Sequence, residues 1–508
     1  MLSAIGLVIH SQLVDSGLMV PGVNTTSIER HMATGTLVRL LGTWRHGGPA
    51  YLALADGIRR AILDGTLPLH TRLPSERDLA DALGLSRTTT SSAYQHLRDD
   101  GVLASRRGSG TVTTLPSGSR GIAATGTDGT GDVVDLTMAA SSAPAGVHRA
   151  YVAALQELPR YLTGRGYELF GLDVLRQTIA EQYSRRGTPT TPDEILITSG
   201  AQQAMSLLLS TVVGIGDRVV VEHPTYANAI ATVRSIGARP VPVPVGPDGL
   251  DIDLLESTVR QTSPRAVYLI PDHHNPTGLS LDATARASVR EIAQRYGTLV
   301  IGDETLTELT LDGERPGPFL GTTPRGALIA IGSMSKSYWG GLRVGWIRAS
   351  RDLVVRLARE RARDDLGTPV LEQLVAAELL ATGEEILAAR RATLRIQRDG
   401  LVNLVTRLLP TWKITAPAGG LSLWANLGEK ASSSLAAIGP RHGVRVAPGP
   451  NFGVDGSFED RLRLPFAQPL NEIERGVEGL ASAWRTLGLD REMPSDPRAI
   501  QPQLGTVV

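Results

Sequence analysis

Residues 331–345 read Ile-Gly-Ser-Met-Ser-Lys-Ser-Tyr-Trp-Gly-Gly-Leu-Arg-Val-Gly (IGSMSKSYWGGLRVG), with Lys336 near the middle. The chain has 51 lysines and arginines together, yet its lysines are Lys336, Lys413 and Lys430 alone. Wherever a positive charge suffices, this sequence uses arginine. A guanidinium stays protonated and is a poor nucleophile, whereas a lysine amine can lose its proton and condense with an aldehyde. Lys336 is therefore a candidate Schiff-base residue. The competing reading is a surface lysine of no chemical importance, and the surrounding chain has to decide between them.

Five stretches, this one among them, share one layout, an apolar β-branched run followed by polar residues. EILITSGAQQAM places Gly200, Ala201 and Gln202 after a strand and at a helix start, where free backbone N–H groups suit a phosphate. RVVVEHPTY delivers Tyr226, AVYLIPDHHNPTG delivers Asn275, GTLVIGDET ends in Asp303, and ALIAIGSMSK ends in Lys336. Open α/β sheets bind ligands at the carboxyl ends of their strands, so the five ends are expected to line one crevice. A pyridine aldehyde phosphate would give each group a task. Lys336 would take the aldehyde, Asp303 would pair with the pyridinium nitrogen, Asn275 would donate to the ring oxygen, and Tyr226 would stack on the ring. Gly200, Ala201 and Gln202 would hold the phosphate with Ser333, Ser335 and Arg343.

Composition bounds the rest. With 508 residues, more than one domain is expected. The 51 basic and 51 acidic side chains balance, so any nucleic-acid site must be local. The chain has no cysteine, which excludes disulfides and thiolate metal sites and is compatible with the cytoplasm. No metal site is expected. Residues 1–34 read as a disordered extension, with Met32 an alternative start. The Gly/Ser/Thr-rich segment 116–131 reads as a flexible linker, and 491–508 as a loose tail.

The linker sets off a small module, 35–115. Tyr51, Ala55, Ile58 and Ile62 recur at helical spacing up to Gly65. Ser75 is a candidate N-cap of a short helix with Leu79, Ala82 and Leu83 buried and Gly84 as its stop. Ser86 caps the next helix, whose apolar side is Ala93, Tyr94 and Leu97, and VLASRRGSGTVT reads as a β wing. Helix, turn, helix and wing in this order point to DNA, with Arg87, Thr88 and Thr89 at the start of a recognition helix and Arg106 and Arg107 on the wing.

RLPSERDLADALGLSRTTTSSAY with RRGSGT resembles the winged helix-turn-helix of GntR-type bacterial regulators. The resemblance implies DNA contacts at Arg77, Arg87, Thr88, Thr89, Arg107 and Gly108, with Arg72, Ser75, Ser86 and Arg106 beside them. Residues 132–490, with HNPTG, GDE and SMSKSYWGGLRVG, resemble the fold-type I aminotransferases that use pyridoxal 5'-phosphate. That resemblance implies a mostly parallel α/β sheet, a homodimer, Arg463 as the holder of a substrate or effector carboxylate, and Tyr167 as a phosphate ligand given across the dimer interface. The two modules in tandem resemble the MocR subfamily of GntR-type regulators. One departure is expected to matter. Where the enzymes carry a tyrosine two or three residues after the aspartate, this chain has Thr305 and Leu306, with Thr305 the candidate substitute. The expected function is therefore a cytoplasmic, nucleoid-associated DNA-binding regulator that senses pyridoxal phosphate or an amine. The alternative is an active aminotransferase.

Overall fold

The structure, a computed structural model, describes residues 30–45, 48–63, 67, 71–106, 110–113, 133–144, 146–321 and 327–489. The chain divides into two units, 1–128 and 129–508. The expected linker and tail lie outside the described residues, as do Arg107 and Gly108 of the wing.

The first unit builds the helix-turn-helix from local signals. The helix Ala50–Leu63 packs on the helix Arg87–Asp99. The short helix Glu76–Leu83 starts where Ser75 accepts from the Asp78 amide at 3.1 Å. It stops at Gly84, whose φ of 63° is left-handed. Its buried face is Leu79 and Ala80; Ala82, expected inside, is exposed. Leu37, Leu54, Ile58, Leu79, Tyr94 and Leu97 form the core, and the Tyr94 hydroxyl donates to Pro74 O at 3.0 Å. The wing strands Leu103–Arg106 and Gly110–Thr113 pair antiparallel. Arg30–His31, expected within the extension, instead pair in parallel with Thr71–Arg72 at the edge of the wing sheet, and the helix Thr34–Leu41 follows. A two-residue strand carries no periodicity for sequence reading to detect.

The second unit holds an eight-stranded, mostly parallel sheet. Its order is Ile195–Thr198, Gly345–Arg348, Leu328–Ser333, Leu299–Asp303, Ala266–Leu269, Arg218–His223, Arg239–Gly246 and Gly249–Leu250. Gly345–Arg348 runs antiparallel to both neighbours. The strands Ile195–Thr198, Ala266–Leu269 and Leu328–Ser333 are buried along their whole length because both faces are covered, whereas the edgeward strand Arg239–Gly246 is largely open. Along Leu328–Ser333, Leu328 and Ala330 enter one core and Ile329 and Ile331 the other. A smaller sheet, ordered Ser422–Asn426, Arg461–Pro465, Val444–Pro448 and Val134–Leu136, has its own core around Trp412, Phe466 and Trp484. Two sheets within one unit explain how residues far apart in sequence reach one site. Lys336 follows the large sheet, and Arg463 lies on the small one.

Candidate functional site

In the large sheet, the strands that deliver Asn275, Asp303 and Lys336 are consecutive neighbours, so their carboxyl ends open side by side. Lys336 sits in the one-turn helix Met334–Ser337. Its amine donates to Ala139 O at 2.8 Å. Burial, and then the nearby Arg463 charge, push its pKa down from 10.5 to about 8, against the pull of Asp303. Lys336 is thus an amine held close to its neutral, nucleophilic form, which a surface lysine is not.

Asp303 is buried at its strand end and both carboxylate oxygens are held. Tyr268, on the adjacent strand, donates its hydroxyl to Oδ2 at 2.7 Å. Thr305 donates its amide to Oδ1 at 3.0 Å and its hydroxyl to the same oxygen. Thr305 therefore serves Asp303, and Leu306 turns into the core of the small sheet. Neither supplies the phenol that the enzymes carry here. Tyr268 escaped the sequence reading. The available signal was a hydroxyl-bearing residue in an otherwise apolar buried strand, which needs a partner.

Gly200 precedes the helix Ala201–Val212 with φ 90° and ψ 169°. That positive φ favours glycine, and the Arg343 guanidinium lies against the turn, its Nη2 2.9 Å from where a Cβ would stand. Arg343 also donates to Ser199 O at 2.8 Å. Gly345, on the neighbouring strand, backs the same turn; a Cβ on it would meet Gly200 C at 2.7 Å. Ser335 Oγ is buried with no hydrogen-bond partner among the described residues. Helix N–H groups, a guanidinium and an unpartnered hydroxyl form a cradle that fits a phosphate. Ser333, expected to join it, instead caps the lysine helix, accepting from Ser335 N at 3.1 Å and donating to Val344 O at 3.3 Å. Gln202 accepts from the Tyr226 hydroxyl at 3.4 Å and from Asn228 at 3.3 Å. Burial, followed by the Asp303 charge, raises the Tyr226 pKa, so its ring is neutral beside Asp303.

Arg463 reaches the site from the small sheet. It donates to Asn275 Oδ1 at 3.3 Å and to Thr137 O, and lies 4.8 Å over the Phe452 ring. Its Nε is buried without a partner among the described residues, and burial lowers its pKa from 12.5 to about 10. A buried cation with a spare donor fits an anionic ligand group. Tyr167 does not join this cluster; it is 67% exposed.

In the first unit, Arg77, Arg87 and Thr88 are exposed at the starts of the two helix-turn-helix helices. Ser75, Ser86 and Thr89 have other work. Ser86 accepts from Thr89 N at 3.1 Å, its hydroxyl lies 2.8 Å from that of Thr89, and Ser75 caps the preceding helix. The half-buried Arg72 packs along the wing, where a Cβ on Gly110 would be 3.1 Å from its Nε. Arg106 ends the first wing strand.

Comparison with known proteins follows the same division. The model of the family "Aminotransferase class I and II" matches residues 146–480, and "Bacterial regulatory proteins, gntR family" matches residues 50–112. YisV of Bacillus subtilis, an uncharacterized HTH-type transcriptional regulator, is 26% identical over 86% of this chain and 96% of its own. A 2-aminoadipate transaminase of Thermus thermophilus is 34% identical over 63% of this chain and 79% of its own. Among solved structures, an alpha-aminoadipate aminotransferase from Thermus thermophilus, complexed with N-(5'-phosphopyridoxyl)-L-leucine, superposes with a TM-score of 0.64. It is 29% identical and covers 70% of this chain and 93% of that one.

Proposed function

The chain belongs to the aminotransferase class I and II family, and from that footing we propose that it is a DNA-binding transcriptional regulator of the MocR type that binds pyridoxal 5'-phosphate and responds to the cofactor or to an amine. The observation that carries the reading is the union, in one chain, of a winged helix-turn-helix with the intact set Lys336, Asp303, Asn275 and Arg463. Full-length relatives named as HTH-type regulators support it.

The cofactor would supply an aldehyde and an electron-withdrawing pyridinium ring. The chain's own residues have separable tasks. Lys336 provides the neutral amine. Asp303, oriented by Tyr268 and Thr305, holds the proton on the ring nitrogen. The Gly200 turn, Arg343 and Ser335 bind the phosphate, and Tyr226 covers the ring. Asn275 donates to the ring oxygen, and Arg463 orients an incoming carboxylate, which makes an α-amino acid the natural effector class. Arg87, Thr88 and Arg77 face base edges and phosphates of an operator. The working form is a homodimer in the cytoplasm, with Tyr167 directed to the partner subunit.

DNA binding measured with and without pyridoxal phosphate, on the parent and on Lys336→Ala, tests this. The parent's affinity should change with the cofactor while that of Lys336→Ala should not. Equal, cofactor-indifferent affinities in both would overturn it.

A second reading, an active transaminase, draws on the depressed pKa of Lys336 and on the enzyme relatives. It is opposed by Thr305, which is committed to Asp303, and by the burial of Leu306. Multiple turnovers with a keto-acid acceptor would favour it.

A further inference from the structure

The segment Thr137–Pro144 follows the strand Val134–Leu136 and belongs to neither helix nor sheet, so its carbonyls need partners from elsewhere. Val147 N donates to Pro144 O at 3.1 Å, and three cations from three different elements reach three more. Arg463, on the small sheet, donates to Thr137 O. Lys336, at the end of the large sheet, donates to Ala139 O at 2.8 Å. Arg390, in the helix Glu384–Leu408, donates to Ser142 O and to Tyr338 O, each at 2.7 Å. Two of these three are the side chains whose chemistry defines the site. Upstream, Val134–Leu136 pairs with Val444–Val446 of the small sheet, and Val134 N donates to Gly443 O at 2.8 Å. In sequence this strand is the first described element after the DNA-binding unit.

We infer that Thr137–Ser142 is a latch that ties the small-sheet lobe to Lys336 and is released in two steps, by engagement of Lys336 and then of Arg463. The inference rests on the proposed cofactor binding. When the Lys336 amine condenses with an aldehyde, a C=N bond forms. The carbonyl oxygen leaves as water with both hydrogens of the neutral amine, so the nitrogen has none left to donate. Ala139 O then loses its donor. A carboxylate on Arg463 competes in the same way for the guanidinium that holds Thr137 O. Arg390 is untouched by either event and keeps the far end anchored, so release is confined to the residues between two fixed ends. The latch thus converts occupancy of two side chains into freedom of the segment Thr137–Ser142, which directly follows the strand Val134–Leu136.

Hydrogen–deuterium exchange of the 136–144 peptide in the full-length protein tests this, with the cofactor's absorption band read in the same samples. Pyridoxal phosphate should speed exchange about tenfold, the effect of one lost hydrogen bond. The same addition to Arg463→Gln should give about a hundredfold over the untreated parent, since both ties are then gone. Lys336→Arg keeps a donor but cannot condense, and its peptide should stay slow with cofactor present. Lys336→Ala should exchange fast regardless. If the band forms in the parent while exchange of the peptide is unchanged or slower, the latch is refuted and the cofactor reading stands. If no band forms, both fall together.

Discussion

Thr305 donates both its amide and its hydroxyl to Oδ1 of Asp303, while Oδ2 takes the Tyr268 hydroxyl at 2.7 Å. The carboxylate is thereby held at both oxygens, by Thr305 and by Tyr268 of the adjacent strand. Removing one clamp leaves the other, so effects should be graded. Tyr268→Phe deletes a buried hydrogen bond and should weaken pyridoxal phosphate binding about tenfold. Thr305→Val should act similarly, and the double variant by more than either, as titration of the cofactor's absorption band would read. Thr305→Val indistinguishable from the parent would mean that its contact with Asp303 does no work.

Cofactor attachment should follow the protonation of Lys336. Its pKa is lowered to about 8, burial first and the Arg463 charge second. The neutral amine is the reactive form. Below about pH 8 the attachment rate should therefore rise about tenfold per pH unit, and above it level off. Arg463→Gln removes a positive neighbour, so the plateau should begin at higher pH. Stopped-flow absorbance from about pH 6 to about pH 10 would show this. A plateau that moves to lower pH would contradict the electrostatic cause.

Gly345→Ala should disable the phosphate cradle by pushing on the Gly200 turn from behind, leaving Arg343 and Ser335 in place. The added Cβ would sit 2.7 Å from Gly200 C, backbone against backbone, and one strand or turn must shift. An overpacking cost of about 1–3 kcal/mol is expected, with a raised Kd for pyridoxal phosphate. Denaturant unfolding and cofactor titration measure the two effects separately.

The serines and arginines of the DNA-binding unit should separate by assay. Ser86→Ala removes an N-cap and should cost about 1 kcal/mol of stability in that unit, read by urea unfolding. Arg87→Ala should leave stability unchanged and cost about 1–3 kcal/mol of discrimination between operator and mutated operator. Stability loss in Arg87→Ala with unchanged discrimination would remove it from the recognition surface.

What could be read from the sequence was local. Apolar runs ending in Lys336, Asp303 and Asn275 mark strand ends, and Ser75, Gly84 and Ser86 mark helix boundaries, because each signal lies within a few residues of its effect. Sheet order, by contrast, joins segments far apart in the chain. It sets Tyr268 beside Asp303 and brings Arg463 from the small sheet to Asn275. The carbonyls of Thr137 and Ala139 carry no sequence signature at all, since every residue has one. That they meet Arg463 and Lys336 was decided by the tertiary structure alone, where an unpaired segment had to find donors.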